Sequence, residues 1–263
     1  MNERFAESSE PALSYYASLA PAAGFQGRCA MSIPCDIEGK RVLDICCRKG
    51  KGAFALADAV GPSGFVVGVD PDAGNIAAAC AAAPKNHRAG SLWEHHLRFS
   101  QAIPENLSAA RIDDAAFDLV YVNSVLNLAW SLPATLDEFA RVLVPGGRLW
   151  VAQGVFLDNG SGVQEQRAVV GNDLDVLSAG TALADSDGTD SAMNARKSIA
   201  GGSGPVDVFS RALSFSEFEE LCLAAGFGSV AFSSVSPISC EDLRNGECSG
   251  AATFYLADVC ATI

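Results

Sequence analysis

The stretch of sequence that most constrains the fold covers residues 42–52 and reads VLDICCRKGKG. An apolar run from Arg41 to Ile45 leads into a turn that contains Gly50, and a helical pattern follows over about residues 52–60. A strand, turn and helix in this order direct backbone N–H groups and a helix N-terminus toward a bound anion or carboxylate. The segment therefore predicts the start of an α/β sheet with a ligand site at its edge.

A second apolar run, residues 64–70, ends in Asp70, which lies 20 residues after Gly50. A carboxylate at the end of the second strand of such a fold can accept hydrogen bonds from the two hydroxyls of a ribose. The pair of features predicts a nucleoside-type cofactor.

The rest of the chain alternates between strand and helix patterns, which predicts a doubly wound α/β fold with a mostly parallel seven-stranded sheet. An antiparallel pair of strands is expected to close the sheet. The predicted strands cover residues 41–45, 64–70, 97–101, 117–123, 148–153, 229–235 and 251–257. Predicted helices cover residues 11–19, 52–60, 73–83, 132–142 and 216–225.

The length of 263 residues fits a single domain. Residues 1–38 are interpreted as an N-terminal cap over the sheet. Residues 158–205 are rich in Gly, Ser, Asp and Ala and are interpreted as a flexible insertion near the site.

Charge and composition restrict the partners. The net charge of -13 repels phosphate backbones and anionic membrane surfaces, which argues against nucleic acid or a membrane as partner and favours a small-molecule substrate. The sequence has no apolar run long enough to span a bilayer and no leader-like start, so a cytoplasmic location is expected. The odd count of nine cysteines, with Cys46 next to Cys47, predicts reduced thiols and not a disulfide framework.

The order of these motifs resembles that of class I S-adenosylmethionine-dependent methyltransferases. The similar features are the glycine turn, the acidic end of strand two, FDLV at residues 117–120, RVL at 141–143, PGG at 145–147 and the two terminal strands. The resemblance covers about residues 38–157 and 206–258, and it implies the Rossmann-like methyltransferase fold with S-adenosylmethionine as cofactor.

Within that superfamily the chain is most similar to the arsenite methyltransferases. The similarity rests on Tyr15-Tyr16, on the spacing from Cys29 to Val42, and on two motifs, ENL at residues 105–107 and NSVLNL at 123–128. It implies methyl transfer to a small-molecule acceptor, such as a thiol or a metalloid.

The resemblance also implies a role for particular residues. Asp44 and the loop from Cys46 to Gly50 would hold the methionine moiety of the cofactor, and Asp70 with Pro71 would hold the ribose. The adenine edge would lie against Gln101, Ala102 and Ile103, and Asn123 would contact the cofactor from the end of strand four. The expected acceptor side comprises Cys29, Tyr16, Ser124, Asn127 and Trp130.

The chain departs from the family pattern at several positions. Cys46 and Arg48 stand where the first two glycines of the Asp-x-Gly-x-Gly-x-Gly motif are expected, and only Gly50 remains. Glycine there permits unusual backbone angles and close approach of a ligand. The family's arsenic-binding cysteines after strand four and before the last helix fall on Ser124 and near Val208.

These departures leave alternatives open. One is a non-catalytic binding or regulatory module that retains the methyltransferase fold. Another is a nicotinamide-dependent oxidoreductase, although the Gly-x-Gly-x-x-Gly turn is missing. No metal site is expected, because the cysteines near the turn lack paired Cys-x-x-Cys spacing and a nearby histidine. His95-His96 could supply a general base, or it could lie in an exposed loop.

Overall fold

The computed structural model of the chain describes residues 3–19, 31–86, 94–157, 206–238 and 254–263, with the backbone alone for residues 3–9. Within these ranges the helices are α1 (Glu3–Ser18), α2 (Lys51–Val60), α3 (Ala73–Asn86), α4 (Leu132–Val142) and α5 (Phe215–Ala224). The strands are β1 (Arg41–Ile45), β2 (Phe65–Asp70), β3 (Leu97–Gln101), β4 (Phe117–Asn123), β5 (Leu143–Leu157), β6 (Leu213–Ser214), β7 (Ser229–Pro237) and β8 (Phe254–Thr262).

All described strands belong to one sheet, with the order β3-β2-β1-β4-β5-β8-β7 and the two-residue β6 paired with β5. The strands β3 to β5 along this order run parallel, whereas β8 pairs antiparallel with both β5 and β7. The predicted doubly wound sheet with a terminal antiparallel pair is therefore confirmed. The sequence order reverses on the two sides of β1, and ligands bind at such a switch point, outside the carboxyl ends of the strands.

Helices cover both faces of the sheet, because β1, β2 and β4 are buried on both sides and read as nearly continuous apolar runs. On one face, apolar residues of α2 and α3 pack with Val42, Val66 and Leu119. On the other face, apolar residues of α4 and α5 pack with Leu43, Val120 and other strand residues of the second core cluster.

Two serine residues set the starts of the helices on this second face. The Ser131 side chain accepts a hydrogen bond from the Ala134 N–H at the start of α4. Ser214 forms a capping box with Glu217 at the start of α5. Each serine satisfies a helix N–H that would otherwise lack a partner, which explains why the helices begin there.

Three predicted boundaries were wrong by about five residues or more. Helix α1 begins at Glu3 and contains Pro11, whereas the prediction began near that proline. Strand β5 begins at Leu143, because the Pro-Gly-Gly segment forms a bulge within the strand, marked by the register shift against β4. Strand β8 ends at Thr262, since the long β5 offers pairing partners back to Arg148. The predicted insertion, residues 158–205, lies outside the described residues.

None of the helices that the structure describes has the length and apolar character needed to cross a bilayer.

Candidate active site

The turn after β1 keeps the backbone conformation of a glycine-rich loop without most of its glycines. Cys46, Arg48 and Gly50 have φ angles of 54°, 50° and 84°, all in the left-handed region. A residue with a Cβ pays about 1–2 kcal/mol for this conformation. Cys46 and Arg48 therefore hold a backbone conformation that glycine adopts without this strain.

The remaining glycine has a second reason to be there. A Cβ on Gly50 would lie 2.9 Å from Cζ of Phe54 and 3.0 Å from Cζ of Phe99. These rings pack edge to face, with centroids 5.8 Å apart, under the start of α2. Any larger residue at position 50 has to displace this buried pair.

Asp70, at the end of β2, is tied to the turn. Its Oδ2 accepts a hydrogen bond of 2.8 Å from the Arg48 N–H, and its Oδ1 accepts from the Asp72 N–H and the Asn75 side-chain amide, each at 3.0 Å. The residue is only 3% exposed. A carboxylate can accept about four hydrogen bonds, so Asp70 is held rigidly and Oδ2 retains capacity for a ligand hydroxyl.

Asp44, near the end of β1, is also 3% exposed. Its Oδ2 has no hydrogen-bond partner among the described residues and lies 3.3 Å from the position that a Cβ on Gly52 would take. Burial, with a smaller contribution from the charge of Asp70, raises the pKa of Asp44 to about 8. A cationic partner would favour the ionised form of this buried carboxyl and lower its pKa.

The other predicted cofactor residues end at the same edge. Asp70 is level with Gln101 in the register of β2 and β3, and Cys46 and Asn123 each follow the last paired position of β1 and β4. The Gln101 side-chain amide donates to the Pro71 carbonyl at 2.9 Å. The neighbouring strands β3, β2, β1 and β4 therefore each lead into a polar or thiol side chain at the same level of the sheet.

Ala102 and Ile103, which follow β3, are buried against the core. The Ala102 N–H donates to the Asp70 carbonyl. At the end of β4 the Ser124 hydroxyl donates to Asn123 Oδ1 at 2.9 Å, and Ser124 has a φ of 58°. These residues line the loops around the switch point.

A polar cluster fastens α1 over this edge. The Tyr16 hydroxyl donates to Glu105 Oε1 at 2.8 Å and accepts from the Trp130 N–H at 3.1 Å. The same Glu105 oxygen accepts from the Ser131 N–H at 3.1 Å. Burial, and next the charge of Glu105, raise the pKa of Tyr16 well above its ordinary value. Tyr16 is therefore a neutral donor that links α1 to the loop after β4.

Tyr15 adds a second attachment. Its hydroxyl donates to the Leu128 carbonyl at 3.0 Å, and its ring lies 5.0 Å from the ring of Trp130. The Arg211 guanidinium stands 5.1 Å from the Tyr15 ring centroid and donates to the Ala129 carbonyl at 2.8 Å. Trp130 itself is 43% exposed at the rim of this cluster.

Asn127 faces the scaffold. Its side-chain amide donates to the Val155 carbonyl at 2.9 Å and to the Arg211 carbonyl at 3.4 Å. It connects the loop after β4 to β5 and to the segment before α5. Through these two hydrogen bonds Asn127 holds the loop on the expected acceptor side in place.

Cys46 directly follows β1, at the level of Asp70 and Asn123 on the neighbouring strands. Burial, followed by the charges of Asp70, Glu105 and Asp44, raises the pKa of its thiol well above the ordinary value. The Cys46 thiol also acts on Tyr16 in the same way. The side chain itself packs against the apolar cluster on the face of α4 and α5.

The remaining predicted candidates have different outcomes. Cys29 lies outside the described residues. His95 is exposed, and the His96 carbonyl accepts from the Val66 N–H at the amino end of the sheet, opposite the site. The loop interpretation of this pair is therefore favoured. Arg48, Lys49 and Lys51 are exposed on the turn.

Glu105 and Arg211 have site contacts that sequence reasoning did not assign to them. Glu105 stood in the family-like ENL motif, which was a usable signal, but its partner on α1 is 89 residues away in sequence. Arg211 follows the segment outside the described residues, and no local pattern connects it with Tyr15.

Fold and site define a class I methyltransferase of the Rossmann-like type. The chain belongs to the family described as methyltransferase domain, whose model matches residues 36–181. The sequence-based assignment is thereby confirmed.

The relatives that match this chain are named for two different methyl acceptors. Over 122 residues the chain is 33% identical to an arsenite methyltransferase of Aquipseudomonas alcaligenes, which covers 46% of this chain and 35% of that protein. Over 114 residues it is 32% identical to a demethylmenaquinone methyltransferase of Lactococcus lactis, covering 43% of this chain and 42% of that protein. The chain thus matches about two fifths or less of the length of these relatives.

A solved structure extends the likeness to nearly the whole chain. The arsenic(III) S-adenosylmethionine methyltransferase of Chlamydomonas reinhardtii superposes with a TM-score of 0.62 at 25% identity. The match covers 95% of this chain and 73% of that structure.

Proposed function

We propose that the protein transfers a methyl group from S-adenosylmethionine to a small, soft acceptor, with trivalent arsenic as the first candidate. The observation that carries the proposal is the buried Asp44 carboxyl near the end of β1, which has no hydrogen-bond partner for Oδ2 among the described residues. A buried carboxyl without a partner calls for a ligand that supplies hydrogen-bond donors or a positive charge.

The side chains at the edge fit that cofactor. Its α-ammonium would supply the positive charge and donors that Asp44 Oδ2 lacks, and its ribose hydroxyls would donate to Asp70. The left-handed turn at Cys46, Arg48 and Gly50 keeps the backbone close to the edge. When bound, S-adenosylmethionine supplies an electrophilic methyl group on a sulfonium centre.

The protein's own contribution is placement. A soft nucleophile needs no strong base, so the reaction depends on holding the acceptor in line with the methyl group and on excluding water. The attachment of α1 through Tyr16 and Glu105 would form one wall of the acceptor pocket. Arsenic as acceptor is supported by the likeness to the arsenite and arsenic(III) methyltransferases named above.

Calorimetric titration of the reduced protein with S-adenosylmethionine and S-adenosylhomocysteine tests the proposal. We expect Asp70→Asn to weaken binding by about tenfold or more, since hydrogen bonds to charged groups contribute about 1.5–3 kcal/mol. Asp137→Asn is the matched control, because Asp137 is exposed on α4 away from the edge. Absence of binding by the unmodified protein would refute the proposal and favour a non-catalytic module.

A further inference from the structure

We propose that Arg211 and Glu105 together hold the methyl acceptor through its oxygen atoms, an inference that rests on the proposed function. Arg211 donates to an oxygen that carries a negative charge or a free lone pair, and Glu105 accepts from a hydroxyl group. The substrate class that fits this pair is a small molecule with two or more hydroxyl or oxyanion oxygens. Arsenous acid and aromatic diols share that chemistry.

Arg211 is a cation that the protein fixes in place while using few of its donors. Its Nη1 donates to the Ala129 carbonyl at 2.8 Å, and its guanidinium carbon lies 5.1 Å from the Tyr15 ring centroid. A guanidinium has five N–H donors, and no ion pair joins this one to a carboxylate within the described ranges. Because Arg211 is half-buried, its free donors favour a ligand with acceptor oxygens.

Glu105 supplies the complementary hydrogen-bond acceptor. Its Oε1 accepts from the Tyr16 hydroxyl at 2.8 Å and from the Ser131 N–H at 3.1 Å, so two separate elements hold the carboxylate. Its Oε2 is buried and makes no hydrogen bond to any residue in the described part of the chain. A buried oxygen without a donor is costly, and a hydroxyl group of the acceptor satisfies it.

Both groups are anchored on the loop that follows β4. Arg211 donates to the Ala129 carbonyl and Glu105 accepts from the Ser131 N–H, so the anchor residues are two positions apart. Their Cα atoms are therefore separated by at most about 7 Å. The contacts of Arg211 and Glu105 on α1 are likewise two neighbouring residues. A donor and an acceptor thus stand close together beside the switch point, where this fold binds ligands.

Arg211→Met and Glu105→Gln test the two contacts separately. Methionine keeps an unbranched stem and removes every donor, whereas glutamine keeps one oxygen for the two existing hydrogen bonds and replaces Oε2 by an N–H group. The reduced protein, saturated with S-adenosylhomocysteine, is titrated by calorimetry with arsenite and, separately, with catechol. Arg211→Met should weaken probe binding by about tenfold or more and Glu105→Gln by about fivefold or more. Affinity for S-adenosylhomocysteine should stay within about threefold in both variants.

Matched controls separate these contacts from general effects of charge and folding. Arg98→Met and Glu220→Gln should leave probe binding unchanged, because both residues are exposed, on β3 and α5. Thermal unfolding checks that each variant folds. Arg211→Lys covers the case in which Arg211→Met does not fold, and it should weaken binding by about threefold or more, since an ammonium group lacks the planar fork of donors.

A ligand-side control isolates Glu105. The dimethyl ether of catechol has no hydroxyl to donate, so the unmodified protein should prefer catechol to this ether, and Glu105→Gln should lose most of that preference. Binding of arsenite alone would identify an inorganic oxyacid as the acceptor class, and binding of catechol an aromatic diol.

Unchanged probe affinity in Arg211→Met or in Glu105→Gln overturns the proposal, as does binding of neither probe by the unmodified protein, while the proposed function stands. If the unmodified protein fails to bind S-adenosylmethionine, the proposed function fails. Titration of the two probes without cofactor then still decides whether Arg211 and Glu105 bind oxygen-bearing ligands.

Discussion

The protonation of Asp44 should make cofactor binding release a proton. Burial and the Asp70 charge raise the pKa of Asp44 to about 8 in the ligand-free protein. At pH 7 about nine tenths of the molecules then carry a neutral Asp44, by the ordinary titration relation. An ammonium group beside the carboxyl favours its ionised form and lowers its pKa. Binding at pH 7 should therefore release about 0.9 proton per ligand from this group.

The same linkage predicts how affinity depends on pH. The ionised fraction of a group with a pKa of about 8 rises about ninefold between pH 6 and pH 7. Affinity for S-adenosylmethionine should rise by about that factor over this window, if the bound-state pKa lies below 6. Below about pH 7 the ligand's own α-amino group, with a usual pKa of about 7.7–8.0, stays protonated and does not mask the effect.

Calorimetry in two buffers of different ionisation enthalpy measures the released protons directly. Asp44→Asn should remove both the proton release and the rise in affinity, whereas Asp137→Asn should keep both. Buffer-independent binding enthalpy at pH 7, together with a flat affinity between pH 6 and 7, would refute the assignment of Asp44 to the ligand's ammonium group.

Three further changes have expected outcomes in chemical or thermal unfolding. Because the raised pKa of Asp44 lets the folded state hold a proton that the unfolded state loses, stability should fall as pH rises from about 4 to about 8, and Asp44→Asn should flatten that profile. Gly50→Ala should destabilise by about 2 kcal/mol or more, since it combines left-handed strain with overpacking, whereas Gly146→Ala, at a φ of 78° with open space around it, should cost about 1 kcal/mol. Tyr16→Phe leaves Glu105 with one donor fewer and should cost about 1–3 kcal/mol, and a loss below a few tenths would contradict the described cluster.

The sequence was sufficient for the parallel part of the fold because each signal there is local. The strand from Arg41 to Ile45 and the strand ending in Asp70 were predicted within one residue, and the alternation of strands and helices implied a doubly wound, mostly parallel sheet. The strand that ends at Thr262 was misplaced, because its position depends on pairing with the distant β5 and not on its own apolar pattern.

The candidate site divides in the same way. The carboxyl ends of neighbouring parallel strands meet at one edge, so Asp70, Gln101 and Asn123 could be grouped from their positions alone. The contacts of Tyr16 with Glu105, and of Arg211 with Tyr15, join residues far apart in sequence. No periodicity or spacing encodes such contacts, which arise only once α1 lies across the sheet.

Cys46 and Arg48, which stand at the two substituted positions of the turn, both have a strained left-handed backbone. Arg48 has a left-handed backbone and an exposed side chain. In this conformation its N–H donates to Asp70 Oδ2 at 2.8 Å. A hydrogen bond to a charged acceptor contributes about 1.5–3 kcal/mol, which offsets a strain of about 1–2 kcal/mol. At Cys46 the left-handed backbone leads directly into the Cys47 N–H, which donates to the Val69 carbonyl at 2.9 Å. Arg48→Gly and Cys46→Gly should therefore each relieve the strain and keep the adjacent hydrogen bond, so chemical denaturation should show no loss of stability for either variant.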